Sequence, residues 1–135
     1  MSRLTSVLAL LLATGIVTAC GSDDPVGPSE PPPTEITEVF PGTLTVNGGA
    51  THGFTEQRAG TVTAQVTGLE PSDAVIGLSL GPLSGQACSQ SVANDAATSQ
   101  TTLTGTASAG SFCVRIFDSG SLSGPVEYEL TVTHF

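Results

Sequence analysis

The sequence predicts an all-β protein whose folded part, residues 38–135, is a small antiparallel β-sandwich of about seven strands. In the last apolar run, Val126, Tyr128 and Leu130 alternate with glutamates, which is the period of a half-buried strand. Threonine, valine, serine and glycine dominate beyond residue 37, and no stretch there has a helical pattern. Because one strand face is polar and the connections are short, we expect antiparallel pairing. Seven short strands favour two packed sheets over a barrel.

Seven segments carry this strand pattern. In one of them Val62, Ala64 and Val66 are separated by polar residues, so all three fall on one face. The predicted strands cover residues 40–46, 50–57, 60–68, 74–80, 99–107, 111–118 and 125–133. Asn47-Gly48-Gly49 predicts a hairpin between the first two strands. The polar stretch from Cys88 to Gln100 predicts a long irregular loop.

Residues 1–19 have the organisation of a secretory signal peptide with a short helical core. Arg3 supplies a positive charge, and the apolar core from Leu4 to Val17 is shorter than the about 20 residues that span a bilayer. The next residues, Val17-Thr18-Ala19-Cys20, resemble the lipobox of bacterial lipoproteins. The resemblance implies cleavage between Ala19 and Cys20 and attachment of diacylglycerol to the Cys20 thiol. A buried helix, a membrane anchor, or a secreted protein with a chance cysteine are the alternatives.

Residues 20–37 predict an acidic, proline-rich tether that starts at the lipidated cysteine. Such a composition offers too little apolar surface to offset the entropy of ordering, so we expect disorder. Pro31-Pro32-Pro33 favours extended polyproline II, at about 3.1 Å per residue. Gly21 stands where an aspartate would direct retention in the inner membrane. We therefore expect the lipid at Cys20 to hold the protein in the outer membrane, on its periplasmic or surface face.

The processed chain is strongly acidic. Once Arg3 has left with the signal peptide, two arginines, Arg58 and Arg115, stand against twelve acidic residues, which gives a formal charge of about −10. Lysine is absent from the sequence. Phosphate-rich partners are repelled by such a charge, so nucleic acid is not an expected partner.

If Cys20 carries lipid, two of the three cysteines remain and can pair with each other. Cys88 and Cys113 would then share an oxidising compartment, in which disulfides persist. A bridge between them closes a loop of about 26 residues, which the chain-entropy model values near 3.5 kcal/mol. Two free thiols and a metal site are the alternatives. Two histidines and no Cys-x-x-Cys spacing disfavour the metal.

Four short segments of the predicted sandwich share a pattern of alternating apolar residues, and three of them contain glycine. They are Gly60-Thr61-Val62-Thr63-Ala64, Leu78-Ser79-Leu80-Gly81, Ala109-Gly110-Ser111-Phe112-Cys113-Val114-Arg115-Ile116 and Tyr128-Glu129-Leu130-Thr131-Val132. Together they resemble the pre-peptidase C-terminal domain of secreted bacterial hydrolases. The resemblance implies a jelly-roll-like β-sandwich and an accessory role beside an enzyme. The chain departs from the pattern in its Cys88/Cys113 pair and in having no peptidase attached.

The residues argue against an enzyme, and no cofactor is predicted. A serine triad needs a histidine that is positioned beside an activated hydroxyl, and the candidates are His52 and His134. No Gly-x-Ser-x-Gly elbow is present. His134 continues the inward face of the last strand, which predicts a packed or edge histidine. His52 falls in the strand after Gly48-Gly49.

The acidic residues and Arg115 suggest three further kinds of site: a pair of catalytic acids, a calcium site, and a site for an acidic ligand. Glu56, Glu70, Asp73, Asp95 and Asp118 could supply paired acids for glycoside chemistry, but most fall at predicted turns, where acid is common. Calcium held by Asp118 or Asp95 is conceivable, although no Asp-x-Asp-x-Asp loop is present. A metal site is therefore left open. Arg115 is predicted to pair with Asp118 or Glu129, or else to meet an acidic ligand.

These observations predict an envelope-anchored lipoprotein without catalytic activity, whose sandwich acts as an interaction or accessory module. The expected partners are the membrane, through the lipid at Cys20, and a protein or the cell wall. A glycan- or calcium-binding module is the alternative, and a hydrolase is a third. Sugar-binding sandwiches usually display tryptophan or tyrosine rings, whereas this chain has no tryptophan and its one tyrosine, Tyr128, is predicted to point into the core.

Overall fold

A computed structural model describes residues 27–135 of the chain. The predicted signal peptide, the lipobox at Cys20 and residues 20–26 of the predicted tether lie outside the described residues. Residues 27–35 have no regular secondary structure. The first strand begins at Ile36, two residues before the predicted start of the domain. Residues 31–135 form one compact unit.

This unit contains nine strands among the described residues. They are β1 Ile36–Leu44, β2 Gly49–Glu56, β3 Gly60–Glu70, β4 Ile76–Ser84, β5 Ala87–Cys88, β6 Val92–Ala97, β7 Thr102–Ala107, β8 Gly110–Phe117 and β9 Val126–His134. The described residues include no helix long and apolar enough to cross a membrane.

The strands form two antiparallel sheets with the order of a jelly roll. The four-stranded sheet runs β1-β9-β3-β7; in the five-stranded sheet β2 pairs with β8, β8 with β4, and β4 with both β5 and β6. The pairs β1·β9, β2·β8, β3·β7 and β4·β6 nest inside one another along the chain. Such a nested ladder, wrapped so that alternate pairs fall in opposite sheets, is the jelly-roll arrangement. The predicted all-β jelly-roll-like sandwich is therefore confirmed.

All seven predicted strands have a counterpart, but the hairpin prediction is wrong. Asn47 does occupy a tight turn, in which the Gly48 N–H donates to the Thr45 carbonyl at 2.9 Å and Asn47 has φ 56°. The turn joins β1 in one sheet to β2 in the other, so the two strands do not pair. A tight turn with positive φ needs asparagine or glycine whether or not its flanking strands share a sheet.

The predicted loop from Cys88 to Gln100 is also wrong, because it contains β6. Leu80 on β4 pairs with Val92, and Ser79 pairs with Ala93. Val92 and Ala97 at the two ends of β6 contact the core, whereas the four residues between them are exposed or half-buried. An edge strand is stabilised by backbone pairing and buries few side chains, so it lacks a strong apolar period.

The core lies between the two sheets and is built from the alternating apolar positions. Its fully enclosed side chains include Val66, Ile76, Leu78, Ile116 and Leu130, all of which have 0% exposure. At about 25 cal/mol per Å² of apolar surface, burial of each such side chain stabilises the fold by roughly 1.5–3 kcal/mol. Tyr128 is 5% exposed, so the prediction that it points with the core is confirmed.

Cys88 on β5 and Cys113 on β8 form the predicted disulfide, with 5.8 Å between their Cα atoms. Cys113 is fully buried, although it lies on the outer side of β8. The segment after β5 folds over this side of β4, where the Ser89 N–H donates to the Pro82 carbonyl at 3.0 Å. A Cβ at Gly81 would overlap the Ser89 carbonyl group, so only glycine permits this close approach.

Candidate functional site

His52 on β2 forms a hydrogen bond to Tyr128 on β9 between the two sheets, next to Phe40 on β1. Its Nε2 lies 2.9 Å from the Tyr128 hydroxyl, and its ring stacks on Phe40 with 4.8 Å between centroids. Burial lowers the pKa of His52 below 6.5 and raises the pKa of Tyr128 above 10.0. Both shifts favour the neutral forms, so this pair acts as an uncharged hydrogen-bonded contact between the sheets.

His134 lies between two glutamates at the end of β9. Its Nε2 is 2.9 Å from a carboxylate oxygen of Glu38, and its Nδ1 is 4.0 Å from one of Glu56. The side chains of His134 and Glu56 are almost fully buried, whereas that of Glu38 is 39% exposed. The Phe54 ring packs against the imidazole at a centroid distance of 4.8 Å. The predicted packed histidine is confirmed.

Neither histidine is joined to a hydroxyl nucleophile within residues 27–135. The polar partners of His52 and His134 there are a phenol and two carboxylates, and no serine or threonine hydroxyl is hydrogen-bonded to either ring. A triad requires the base to contact both the nucleophile and an orienting acid. His134 has acids on both sides and its Nδ1 lacks a hydrogen-bond partner in the described part of the chain.

Asp118 anchors the loop between β8 and β9. One carboxylate oxygen accepts N–H bonds from Gly120, Ser121 and Leu122 at 2.8–3.2 Å, and the other accepts from the Asn47 N–H at 2.8 Å. These bonds, that from Asn47 first, lower the pKa of Asp118 despite some desolvation. The carboxylate thereby ties this loop to the turn that joins the two sheets.

No cluster of acidic side chains among the described residues supports the alternative of a calcium site. The described residues contain no group of three or more His, Cys, Asp or Glu side chains placed to hold a metal ion. The Asp118 loop borders a cleft of about 300 Å³, whose other wall is formed by residues 71–75. Asp73 is the one carboxylate among the lining residues of that cleft.

The outer side of the four-stranded sheet is a threonine face, here defined as the exposed side of β1, β9, β3 and β7. One row of paired residues crosses all four strands and consists of Thr37, Thr133, Thr63 and Thr104. The next row is Val39, Thr131, Gln65 and Thr102. Neither row contains a charged residue, and the acids of this face lie beyond one end, at Glu70, Glu127 and Glu129. A protein with a large negative charge therefore presents one broad neutral surface.

The outer side of the five-stranded sheet is an arginine face, defined by Arg115 and Phe117 on β8. Their inward neighbours are Val114 and Ile116 in the core, so the alternation directs Arg115 and Phe117 outward. The Arg115 guanidinium carbon lies 5.5 Å from the centre of the Phe117 ring. Both side chains are half-buried.

The predicted ion pair of Arg115 is not formed. No carboxylate oxygen in residues 27–135 lies within 4.0 Å of a guanidinium nitrogen. Glu129, one predicted partner, lies on β9 in the opposite sheet, and Asp118 is occupied by backbone N–H groups. The position of Phe117 beside Arg115 was not predicted, although an aromatic residue on the polar side of a predicted strand is a signal that could have indicated it.

A scan of protein-family models finds no match to this chain, and a search of curated proteins finds no significant match. The similarity to the pre-peptidase C-terminal domain therefore stays a resemblance of short segments. The jelly-roll order of the strands agrees with what that resemblance implies about the fold.

Proposed function

We propose that this protein is an envelope-anchored lipoprotein without catalytic activity, whose jelly roll serves as an interaction or accessory module. Val17-Thr18-Ala19-Cys20 supports the lipid anchor, because a cysteine behind a short apolar segment and two small residues suits lipidation. Several acyl chains at Cys20 would make the attachment effectively stable, since a single chain binds only marginally. The proline-rich tether would hold the folded unit away from the headgroups.

The observation that carries the non-catalytic assignment is the internal bonding of both histidines. His52 is bonded to Tyr128 between the sheets, and His134 is enclosed beside Glu38 and Glu56. General bases work at a site that substrate can reach. These two imidazoles instead connect parts of the fold, which leaves binding through the outer faces as the activity that the geometry supports best.

The outer faces suit partners of different chemistry. The threonine face offers neutral hydroxyls and methyl groups, and the arginine face offers a cation beside an aromatic ring. A protein or cell-wall partner fits such surfaces. Nucleic acid does not, since the formal charge of about −10 after processing repels phosphates.

Cell fractionation with metabolic labelling by a palmitate analogue tests the anchor. The full-length protein is expected in the membrane fraction and labelled, whereas Cys20→Ser should lose the label and leave that fraction. A Cys88→Ser/Cys113→Ser variant is the matched control, because it also replaces cysteine by serine and should keep the label. Membrane association of Cys20→Ser would overturn the anchor.

Binding and hydrolysis assays on the detergent-extracted protein test the module. We expect retention on isolated cell-envelope material and no turnover of ester, peptide or glycoside substrates. Hydrolysis that is abolished by His52→Gln would overturn the non-catalytic assignment. Among the alternatives, glycan binding is favoured by one specific feature, the half-buried pair of Arg115 and Phe117 on the outer side of the five-stranded sheet.

A further inference from the structure

We propose that the arginine face binds a saccharide that carries one carboxylate, with Arg115 receiving the carboxylate and Phe117 receiving the sugar ring. The inference rests on the proposed role as an interaction module and names the class of its ligand. The arrangement combines a cation without an internal ion pair, an aromatic platform and a buried hydroxyl without a partner.

The Arg115 guanidinium can bind a carboxylate, and no carboxylate of the described residues lies close enough to pair with it. The chain has twelve acidic residues, yet no carboxylate of residues 27–135 lies within 4.0 Å of this guanidinium. Thr51 and Ser79 are its cross-strand neighbours in the same row, and neither is charged. A planar guanidinium with forked donors binds a carboxylate in a bidentate manner, which a halide cannot do.

Phe117 provides a surface for the apolar side of a pyranose ring. Its cross-strand neighbours are Gly49 and Gly77, which have no side chains of their own to crowd the ring. The ring lies over Gly77, where a Cβ would collide with it. The Arg115 guanidinium extends over Gly49, where a Cβ would lie 3.0 Å from Nη2. The two glycines thus let both side chains lie flat and adjacent on the sheet.

Ser79 adds a polar group beneath this surface. It is fully buried on the outer side of β4, in the row of Arg115, and its hydroxyl has no hydrogen-bond partner within residues 27–135. A buried hydroxyl left without a partner costs on the order of 1–3 kcal/mol. Because Ser79 is 0% exposed, a ligand hydroxyl can bond to it only after the overlying side chains shift, and that bond would remove the cost.

The overall charge limits the ligand to one carboxylate for each bound unit. A polyuronate would place several negative charges against a protein whose charge is about −10. A single carboxylate at Arg115 is affected mainly by groups within about 8 Å, because salt screens more distant charges. The structure therefore favours an acidic monosaccharide unit flanked by neutral sugars.

Arg58 offers a matched control within the same chain. Its guanidinium carbon lies 3.6 Å from the centre of the Phe135 ring, so the cation itself covers that ring. Arg115 is displaced to 5.5 Å and leaves the Phe117 ring available. Substitution of either arginine by glutamine removes one charge and one arginine–phenylalanine contact, but only Arg115→Gln should affect binding.

Saturation-transfer NMR on the full-length protein in a polyoxyethylene detergent tests the proposal with three probes. Glucuronate presents carboxylate and ring together, glucose presents the ring alone, and acetate presents the carboxylate alone. We expect glucuronate to bind with a dissociation constant of about 1–10 mM, as suits a monosaccharide. We expect at least about tenfold weaker binding for glucose and for acetate.

In the variants, Arg115→Gln should weaken glucuronate binding by about tenfold or more, and Phe117→Leu should reduce it to the level of acetate. Arg58→Gln should bind as the unchanged protein does, and thermal unfolding should confirm that each variant is folded. Equal binding by Arg115→Gln, or equal affinity for acetate and glucuronate, would overturn the proposal. If glucuronate binding fails these tests but the protein still binds envelope material, only the proposed ligand class is wrong and the role as an interaction module is retained. If the protein binds neither glucuronate nor envelope material, both proposals are wrong.

Discussion

His52 on β2 and Tyr128 on β9 are hydrogen-bonded between the two sheets, with 2.9 Å between Nε2 and the phenolic oxygen. Gly42 on β1 makes room for the pair, because a Cβ at that position would collide with the Tyr128 hydroxyl. Phe40 covers the other side of the imidazole. This contact joins one strand of each sheet and excludes a charged imidazole from the interior.

The lowered pKa of His52 predicts a loss of stability on acidification. Below about pH 6.5 the unfolded chain binds a proton that folded His52 resists, so the free energy of unfolding falls as the pH drops through that value. Urea unfolding between about pH 7.5 and 5.5 measures the effect. His52→Gln should show a smaller decrease over this range. A Phe40→Leu variant, which retains the imidazole, serves as the control, and identical slopes for His52→Gln and the unchanged protein would contradict the prediction.

Removal of the Cys88–Cys113 disulfide should destabilise the fold by about 3 kcal/mol. The bridge joins residues 25 apart in sequence, and its main contribution in the chain-entropy model is to restrict the unfolded chain. Urea unfolding of Cys88→Ala/Cys113→Ala, with and without a reductant, measures it. The reductant should affect the unchanged protein and leave the double variant unaffected. A loss below about 1 kcal/mol would show that the unfolded chain is already constrained in this region.

The strand pattern was predictable because it is local. The alternation in β3 and β9, at Val62, Ala64 and Val66 and again at Tyr128 and Leu130, places these side chains in the core. The inward direction of His134 followed from the same period. The alternation of apolar and polar residues shows which face of a strand is buried, and it can be read from the residues of that strand alone.

The partners of each strand were not predictable from the same pattern. β1 pairs with β9, more than eighty residues away, and Asn47 joins the two sheets instead of forming a hairpin. The β6 strand was missed because its stability comes from pairing with β4. The arginine face depends on the same remote register, since Ser79 and Thr51 become neighbours of Arg115 only when three strands are aligned.

Asp118 should stabilise the protein at neutral pH and lose this effect in acid. Four backbone N–H groups bind its ionised form and depress its pKa below the ordinary 3.8. The contribution is therefore present above 3.8 and disappears as the pH falls through the lower, folded value. Asp118→Ala should have a lower melting temperature at pH 7, and the difference should shrink in strong acid. Asp73→Ala is the control for removal of an exposed acid; a deficit that is independent of pH would contradict the prediction.

The two glutamates beside His134 should differ in their effect on stability, although they flank the same ring. Glu56 is 1% exposed and accepts the Phe135 N–H at 3.2 Å, so Glu56→Ala leaves that N–H without a partner and removes the buried carboxylate that lies 4.0 Å from His134 Nδ1. We expect that variant to lose about 3 kcal/mol of unfolding free energy. Glu38 is 39% exposed, and water can replace its carboxylate, so Glu38→Ala should lose about 1 kcal/mol or less. Glu56→Gln, which keeps a carbonyl oxygen for Phe135, should fall between them. Urea unfolding at pH 7 gives the three values, and a larger loss for Glu38→Ala than for Glu56→Ala would mean that the exposed carboxylate is the one that holds the imidazole.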